Sequence, residues 1–323
     1  MKMIWFLLCG ILFAGIAQAQ EINFSRVQDM AIWYNQSLKT DKQSTIKLNY
    51  RNVQYGGIIA YNSISAMVDM PLVSKAKKEA GNSGGYFSAS AGAASDKSNQ
   101  GILNNTLGLL GISYAIPIGQ NETYAAIGFQ GVYYQSNLNV HGGSLFADQY
   151  DKYGPVDGMA SADRFASGWS YGYFNMNAGI SIFNNSAFNK WYVGASVMHV
   201  NKPYTDQAKT KEFRLAQLVG VQGGYKFITG QDDDEVGFYA SMNWQGKAYK
   251  HFFNGTYSTP IKKMPGTAVG LGLGYRYEDA LVPNIELRYM KLILGISYDI
   301  NVSAISASGI KRNGLELAVR LDF

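Results

Sequence analysis

The chain ends on a strict two-residue alternation. Leu315, Leu317, Val319, Leu321 and Phe323 interleave with Glu316, Ala318, Arg320 and Asp322. In an extended strand successive side chains point to opposite faces, so one face of this segment is wholly apolar and the other carries every charge. The pattern returns at Ile46, Leu48 and Tyr50 against Lys47, Asn49 and Arg51. It recurs at Val236, Phe238, Ala240, Met242 and Trp244 against Tyr239, Ser241, Asn243 and Gln245, and at Ile285, Leu287 and Tyr289 against Glu286 and Arg288.

Run length decides what solvent such strands suit. Beyond the first twenty residues the longest unbroken apolar run is five, Met30 to Tyr34, whereas a spanning helix needs roughly 20. A helical membrane bundle is therefore excluded. Charged residues are only 16% of the chain, with 36 Gly, 23 Tyr and 16 Phe, against about a quarter charged in an ordinary soluble domain. The mean hydropathy of −0.12 fits a transmembrane β-barrel, in which lipid-facing and lumen-facing residues alternate and average out.

The N-terminus reads as a secretory leader: Lys2, an apolar stretch from Ile4 to Ile16, and the small-x-small site Ala17-Gln18-Ala19. Cleavage after Ala19 removes the only cysteine, Cys9. Disulfides, thiol catalysis and Cys-ligated metals are then excluded from the mature chain. The formal charge of +5 comes without a basic cluster, so nucleic acid is not an expected partner.

Period-two reading places an all-β, antiparallel barrel over residues 44–323, with about fourteen strands separated by Gly, Asn, Asp, Ser and Pro. They fall near 45–51, 58–69, 85–95, 106–116, 123–135, 171–183, 190–200, 214–228, 235–245, 248–257, 266–278, 283–290, 292–302 and 313–323. An even count puts both ends of the barrel in the periplasm. Connections 117–122, 184–189 and 229–234 are then short periplasmic turns, and the longest, 136–169, is external. The long link 70–84 and the very short one at Gly246-Lys247 break this rule, which leaves twelve or sixteen strands open. Ahead of the barrel, residues 20–43 form either a plug or a periplasmic leader. Phe24, Val27, Ala31, Tyr34 and Leu38 are spaced as one helix face, with Asn23 or Ser25 as cap.

Site chemistry is sparse. His141, His199 and His251 are too scattered for a metal centre. Ser196 and His199 are the nearest Ser-His pair, and their odd separation puts them on opposite strand faces. Asp232-Asp233-Asp234-Glu235 lacks the spacing of a calcium loop. Gly270, Gly272 and Gly274 sit at period two and read as lumen-facing glycines that leave room inside, not as a nucleotide fingerprint. Tyr133-Tyr134, Trp191-Tyr192, Tyr275, Tyr277 and Tyr298 read as interfacial girdles. No cofactor and no metal are expected, and the chain is not expected to be an enzyme.

Several stretches resemble the PorP/SprF family of outer-membrane proteins. Trp33-Tyr34-Asn35-Gln36-Ser37-Leu38 resembles its Tyr-Asn-Pro-Ala-Leu element, with Gln36 in place of the proline, and Tyr50-Arg51-Asn52-Val53-Gln54 follows at the family's distance. Leu107 to Ile116, with Ser113-Tyr114-Ala115, is similar to its strand ending in Ser-Tyr-Ala. Residues 191–200, with Pro203 after them, resemble its Gly-x-Ser-x-x-His-x strand. Ser297-Tyr298-Asp299, Ser303 and Gly314-Leu315-Glu316-Leu317 resemble its closing pattern. The resemblance implies a barrel in the outer-membrane lipid that works with the type IX secretion machinery on its periplasmic side. It also implies help in exporting or anchoring surface proteins such as adhesins through their C-terminal domains, as in gliding motility.

The expected lumen-facing charges are Lys47, Arg51, Lys226, Arg276, Glu286, Arg288, Glu316 and Arg320, either in internal ion pairs of a hydrated lumen or touching a client. Leu315, Leu317, Val319, Leu321 and Phe323 are expected to form the C-terminal barrel-assembly signal. A channel for small apolar molecules is the alternative function, and a barrel-wall hydrolase a third.

Overall fold

The computed structural model describes residues 24–56, 58–72, 84–98, 101–119, 122–140, 146–156, 158–163, 166–186, 188–205, 209, 214–229, 233–303 and 312–323. The leader with its cleavage site, Asn23, His141 and Asp232 lie outside them.

The described strands are β1 (Thr45–Tyr55), β2 (Ile58–Leu72), β3 (Tyr86–Ser98), β4 (Leu103–Pro117), β5 (Thr123–Leu138), β6 (Tyr150–Asp151), β7 (Gly154–Pro155), β8 (Trp169–Asn185) and β9 (Asn189–Met198). They continue with β10 (Leu218–Thr229), β11 (Asp234–Gln245), β12 (Ala248–Pro260), β13 (Thr267–Arg276), β14 (Ala280–Tyr289), β15 (Leu292–Asn301) and β16 (Arg312–Asp322). All but β6 and β7 form one closed antiparallel barrel in chain order, and β1 pairs with β16 to close it. This is a fourteen-stranded transmembrane barrel, in agreement with the alternation. The closure aligns Thr45 with Asp322, Leu48 with Val319 and Arg51 with Glu316. Closure leaves no unpaired edge, which hydrocarbon requires because it offers backbone groups no other partner.

Each strand sorts its side chains as a barrel wall must. In β16, Gly314, Glu316 and Ala318 are buried, whereas Leu315, Leu317, Leu321 and, just beyond it, Phe323 are exposed. Lys47, Asn49 and Arg51 are buried in β1, while Leu48 stays exposed to the hydrocarbon. A soluble fold is inverted here: the large apolar side chains are outside and the polar ones inside.

Alternation also divides the paired aromatics. Tyr133 is exposed and Tyr134 buried, and Tyr192 packs inward against Tyr86, Tyr124 and Phe183. Adjacent residues cannot share a face, so only one of each pair belongs to a girdle. Tyr275, Tyr277 and Tyr298 all face outward. Ser196 and His199, expected on opposite faces, are both buried. The strand ends at Met198, and the left-handed φ of 58° at His199 breaks the alternation.

Candidate functional site

The barrel is filled by its own N-terminal segment. Phe24, Ser25, Arg26, Asp29, Met30, Ile32, Asn35, Gln36, Ser37, Leu38 and Lys39 are all buried. The spacing of Phe24 to Leu38 predicts a short amphipathic helical segment, and only part of it is helical. The segment has one helical turn, α1 (Ala31–Tyr34), followed by a 3-10 turn at Gln36–Leu38. A surface helix needs one apolar face, but the lumen wall surrounds this segment and satisfies polar groups on every side. Ser25, proposed as a cap, instead donates its hydroxyl to Asp299 at 3.0 Å. The cap that exists is Asn35, whose Oδ1 accepts from Ser37 N at 3.1 Å.

The first residues of the segment meet a charged sector built by β1 and β13–β16. Ser25 N and Arg26 N both donate to the Glu316 carboxylate, the second at 3.2 Å. Arg26 pairs with Asp29 and Glu286, each at 2.6 Å. Asp299 collects Arg51 at 2.6 Å and Arg276 at 2.9 Å, and Arg276 also donates to Ser25 Oγ at 2.8 Å. Where the segment enters β1, Lys39 pairs with Asp69, Lys47 reaches the same carboxylate at 3.1 Å, and Arg320 sits 3.4 Å from Asp41.

The middle of the segment meets an uncharged sector. Gln130 donates to Ile32 O at 2.5 Å, Ser90 to Gln36 Oε1 at 2.6 Å, and Ser181 to Ser37 O at 2.9 Å. Asn35 Nδ2 donates to Ala195 O and Gln222 Oε1, both at 3.2 Å. Trp33, Met30, Ile32 and Phe24 pack on Met67, Leu107, Leu109 and Val132. Glycines make the fit possible. A Cβ on Gly128 would lie 2.5 Å from Ser37 N, on Gly194 2.8 Å from Asn35 Nδ2, on Gly92 3.3 Å from the Trp33 ring, and on Gly295 2.5 Å from Arg26 Cζ. Gly111 and Gly179 are closed in the same way by Gln36 and Asn35.

All eight expected charged residues thus have ion-pair or hydrogen-bond partners. Lys226 and Arg288 meet at Glu235, at 2.6 and 3.3 Å, and Arg288 also lies 3.6 Å from Glu286, the partner of Arg26. Gly270, Gly272 and Gly274 face inward, and a Cβ on Gly274 would meet the Phe252 ring at 2.6 Å. Sequence reasoning missed the opposing anions Asp29, Asp41, Asp69, Asp279 and Asp299, and it missed Arg26. The strand anions carried a usable signal: Asp69 and Asp299 share the inward parity of their strands. Among the described residues no group of His, Cys, Asp and Glu is placed to hold a metal ion.

Asn35, Gln36, Arg51, Ser196, His199, Asp299, Gly314 and Glu316, scattered over the sequence, all turn into the lumen in this arrangement. The profile of the family described as type IX secretion system membrane protein PorP/SprF matches residues 37–319. The chain belongs to the PorP/SprF family. It is accordingly an outer-membrane barrel of the type IX secretion system, and its family is one of secretion-system membrane proteins and not an enzyme family. No curated protein sequence matches it significantly. Among solved structures it is similar to the CymD monoaromatic hydrocarbon channel, with a TM-score of 0.53, 9% identity and coverage of 95% of this chain and 94% of that one. It is equally similar to the Pseudomonas putida toluene transporter TodX, with a TM-score of 0.53, 6% identity and 94% of both chains covered. At that identity the likeness is one of fold.

Proposed function

We propose that this PorP/SprF protein is a non-enzymatic accessory of type IX secretion that helps export, or hold at the surface, particular large surface proteins such as gliding adhesins, engaging their C-terminal domains. The observation that carries this reading is the occupied lumen. A segment seated in glycine niches and ion pairs occupies the lumen at rest, which leaves the rims and the outer wall as the parts free to meet partners. In this reading the leader is cleaved after Ala19 and the 136–169 connection, which runs from the end of β5 to the start of β8, faces outward. Client contact then uses the loop rim and machinery contact the periplasmic turns, such as that between β10 and β11. Deletion of the gene is expected to remove one or a few large proteins from the surface, seen by surface labelling and secreted-protein profiling, while other type IX cargo is still exported.

The second reading, a channel for small apolar molecules, is favoured by the fold shared with CymD and TodX. It is also favoured by a row of rings on the wall, Trp169, Tyr171, Tyr173 and Tyr134, with centroids 6.2, 6.3 and 5.3 Å apart. Unchanged surface proteins together with collapsed uptake of an apolar nutrient in the same deletion strain replace the first reading with this one.

A further inference from the structure

Among the described residues, neighbouring barrel strands pair rung by rung except at two places. Between β1 and β2 the register slips by one residue at Val53/Gln54, an ordinary bulge. Between β14 and β15 two rungs are missing: Leu281 pairs with Ile300 and Asn284 with Ser297, while Val282 and Pro283 pair only with β13. The cause is chemical. Pro283 has no N–H to give, and proline inside a continuous sheet removes a ladder bond. Facing hydrocarbon, the carbonyl opposite has no water to replace that donor.

Side chains hold the wall together at this point. By the flanking register, Asp299 is the inward residue opposite Val282. Its carboxylate reaches across β14 to Arg276 on β13 at 2.9 Å, and across β16 to Arg51 on β1 at 2.6 Å. Arg312 of β16 approaches to 3.9 Å, and Ser25 of the plug donates to the same carboxylate at 3.0 Å. One buried anion therefore ties β1, β13, β15 and β16 together where the backbone ladder fails, and the plug is part of the tie. Beside these ion pairs lies a small apolar cluster, in which Val27 of the plug packs with Phe252, Ala280 and Val282. Outside, Leu281 and Tyr298 face the lipid.

We propose that the β14–β15 boundary is a lateral seam in the barrel wall, latched by Asp299 with Arg276, Arg51 and the plug residue Ser25. Withdrawal of the first plug residues removes one member of the latch and loosens this boundary ahead of any other. The loosened seam joins both the Val27–Phe252–Ala280–Val282 cluster and the charged latch residues beside it to the bilayer, so it presents a slot suited to an amphipathic chain. The inference does not depend on which client the protein serves.

Hydrogen exchange on the full-length mature barrel in lipid nanodiscs tests the latch. In Asp299→Asn, exchange is expected to rise about tenfold or more at Ser297 to Asn301 and at Ser25 to Val27, a local opening that leaves β10 and β11 protected. Adding Pro283→Ala to that variant restores the missing donor and is expected to return the protection. A uniform rise, no rise, or failure of Pro283→Ala to rescue overturns the seam. If Asp299→Asn does not assemble, Pro283→Ala alone decides: slower exchange at Ser297 to Asn301 than in the unaltered protein supports the proposal, and unchanged exchange overturns it.

Discussion

Two sectors of one lumen wall hold the same plug by different physics. The sector of β1 and β13–β16 grips Ser25 and Arg26 with Glu316, Asp299 and Glu286. The sector of β3–β5 with β8 and β9 receives Trp33 to Leu38 through missing side chains, amide hydrogen bonds and apolar packing. Charge pairs inside a protein carry a large desolvation cost, so they are costly when half-broken and contribute little net stability when whole. Steric niches act differently: each strand glycine costs a little conformational entropy, about 0.5–1 kcal/mol, and in return the niche rejects any added atom. The charged sector thus offers a hold that a competing ion pair can exchange, and the glycine sector sets the position to which the plug returns.

Removing Asp299 is the most direct way to break the comparison. Asp299→Ala leaves Arg51 and Arg276 facing each other without their shared anion, and loss of one partner of a buried pair costs about 3–5 kcal/mol. A large drop in the urea midpoint of the refolded barrel is expected; a drop below about 1 kcal/mol would mean the arginines are hydrated and the charged sector holds little. Gly128→Ala probes the other sector. Its Cβ meets plug backbone, which has no rotamer to turn away, so a loss of about 1–3 kcal/mol is expected. New protease cleavage after Lys39, absent from the unaltered barrel, should accompany it, and undiminished protection would place the plug elsewhere. Asn35→Ala sharpens the contrast, because it removes the 3-10 cap and the bonds to Ala195 and Gln222 without adding bulk. The expected loss is about 1 kcal/mol, visible as a small midpoint shift with the plug still protected.

The smallest effect lies outside both sectors. Ser161 Oγ and Ala162 N donate to the exposed Asp148 carboxylate at 2.7 and 2.6 Å, and these bonds hold its pKa below the ordinary value. A carboxyl depressed in the folded loop contributes order above its unfolded pKa of about 4 and loses it as pH falls through the lower folded value. Exchange at Ala162 is therefore expected to quicken, relative to the intrinsic rate, only below about pH 4. Quickening near neutral pH would assign the loop's order to other groups.

The strand order was legible because period two is a local property, and the range of every barrel strand could be read from it to within a few residues. Misses fell where locality ends. Residues 214–217, read as the start of a strand, precede β10, because Arg214 pairs with Tyr204 in a separate bridge. The helix spacing of Phe24 to Leu38 was real in the sequence, but a segment buried on every side has no use for a single apolar face. Asp299 had the inward parity and was passed over as one member of a family motif.

What the sequence determined by itself is which side chains face lipid and which face inward, since alternation along each strand sets that without reference to any other strand. What only the tertiary structure decided is who meets whom inside. Ser25 and Glu316 are 291 residues apart, and closure of the barrel at β1 and β16 brings them into contact. No local pattern encodes such a pair, because it depends on the circumference and stagger of the whole wall.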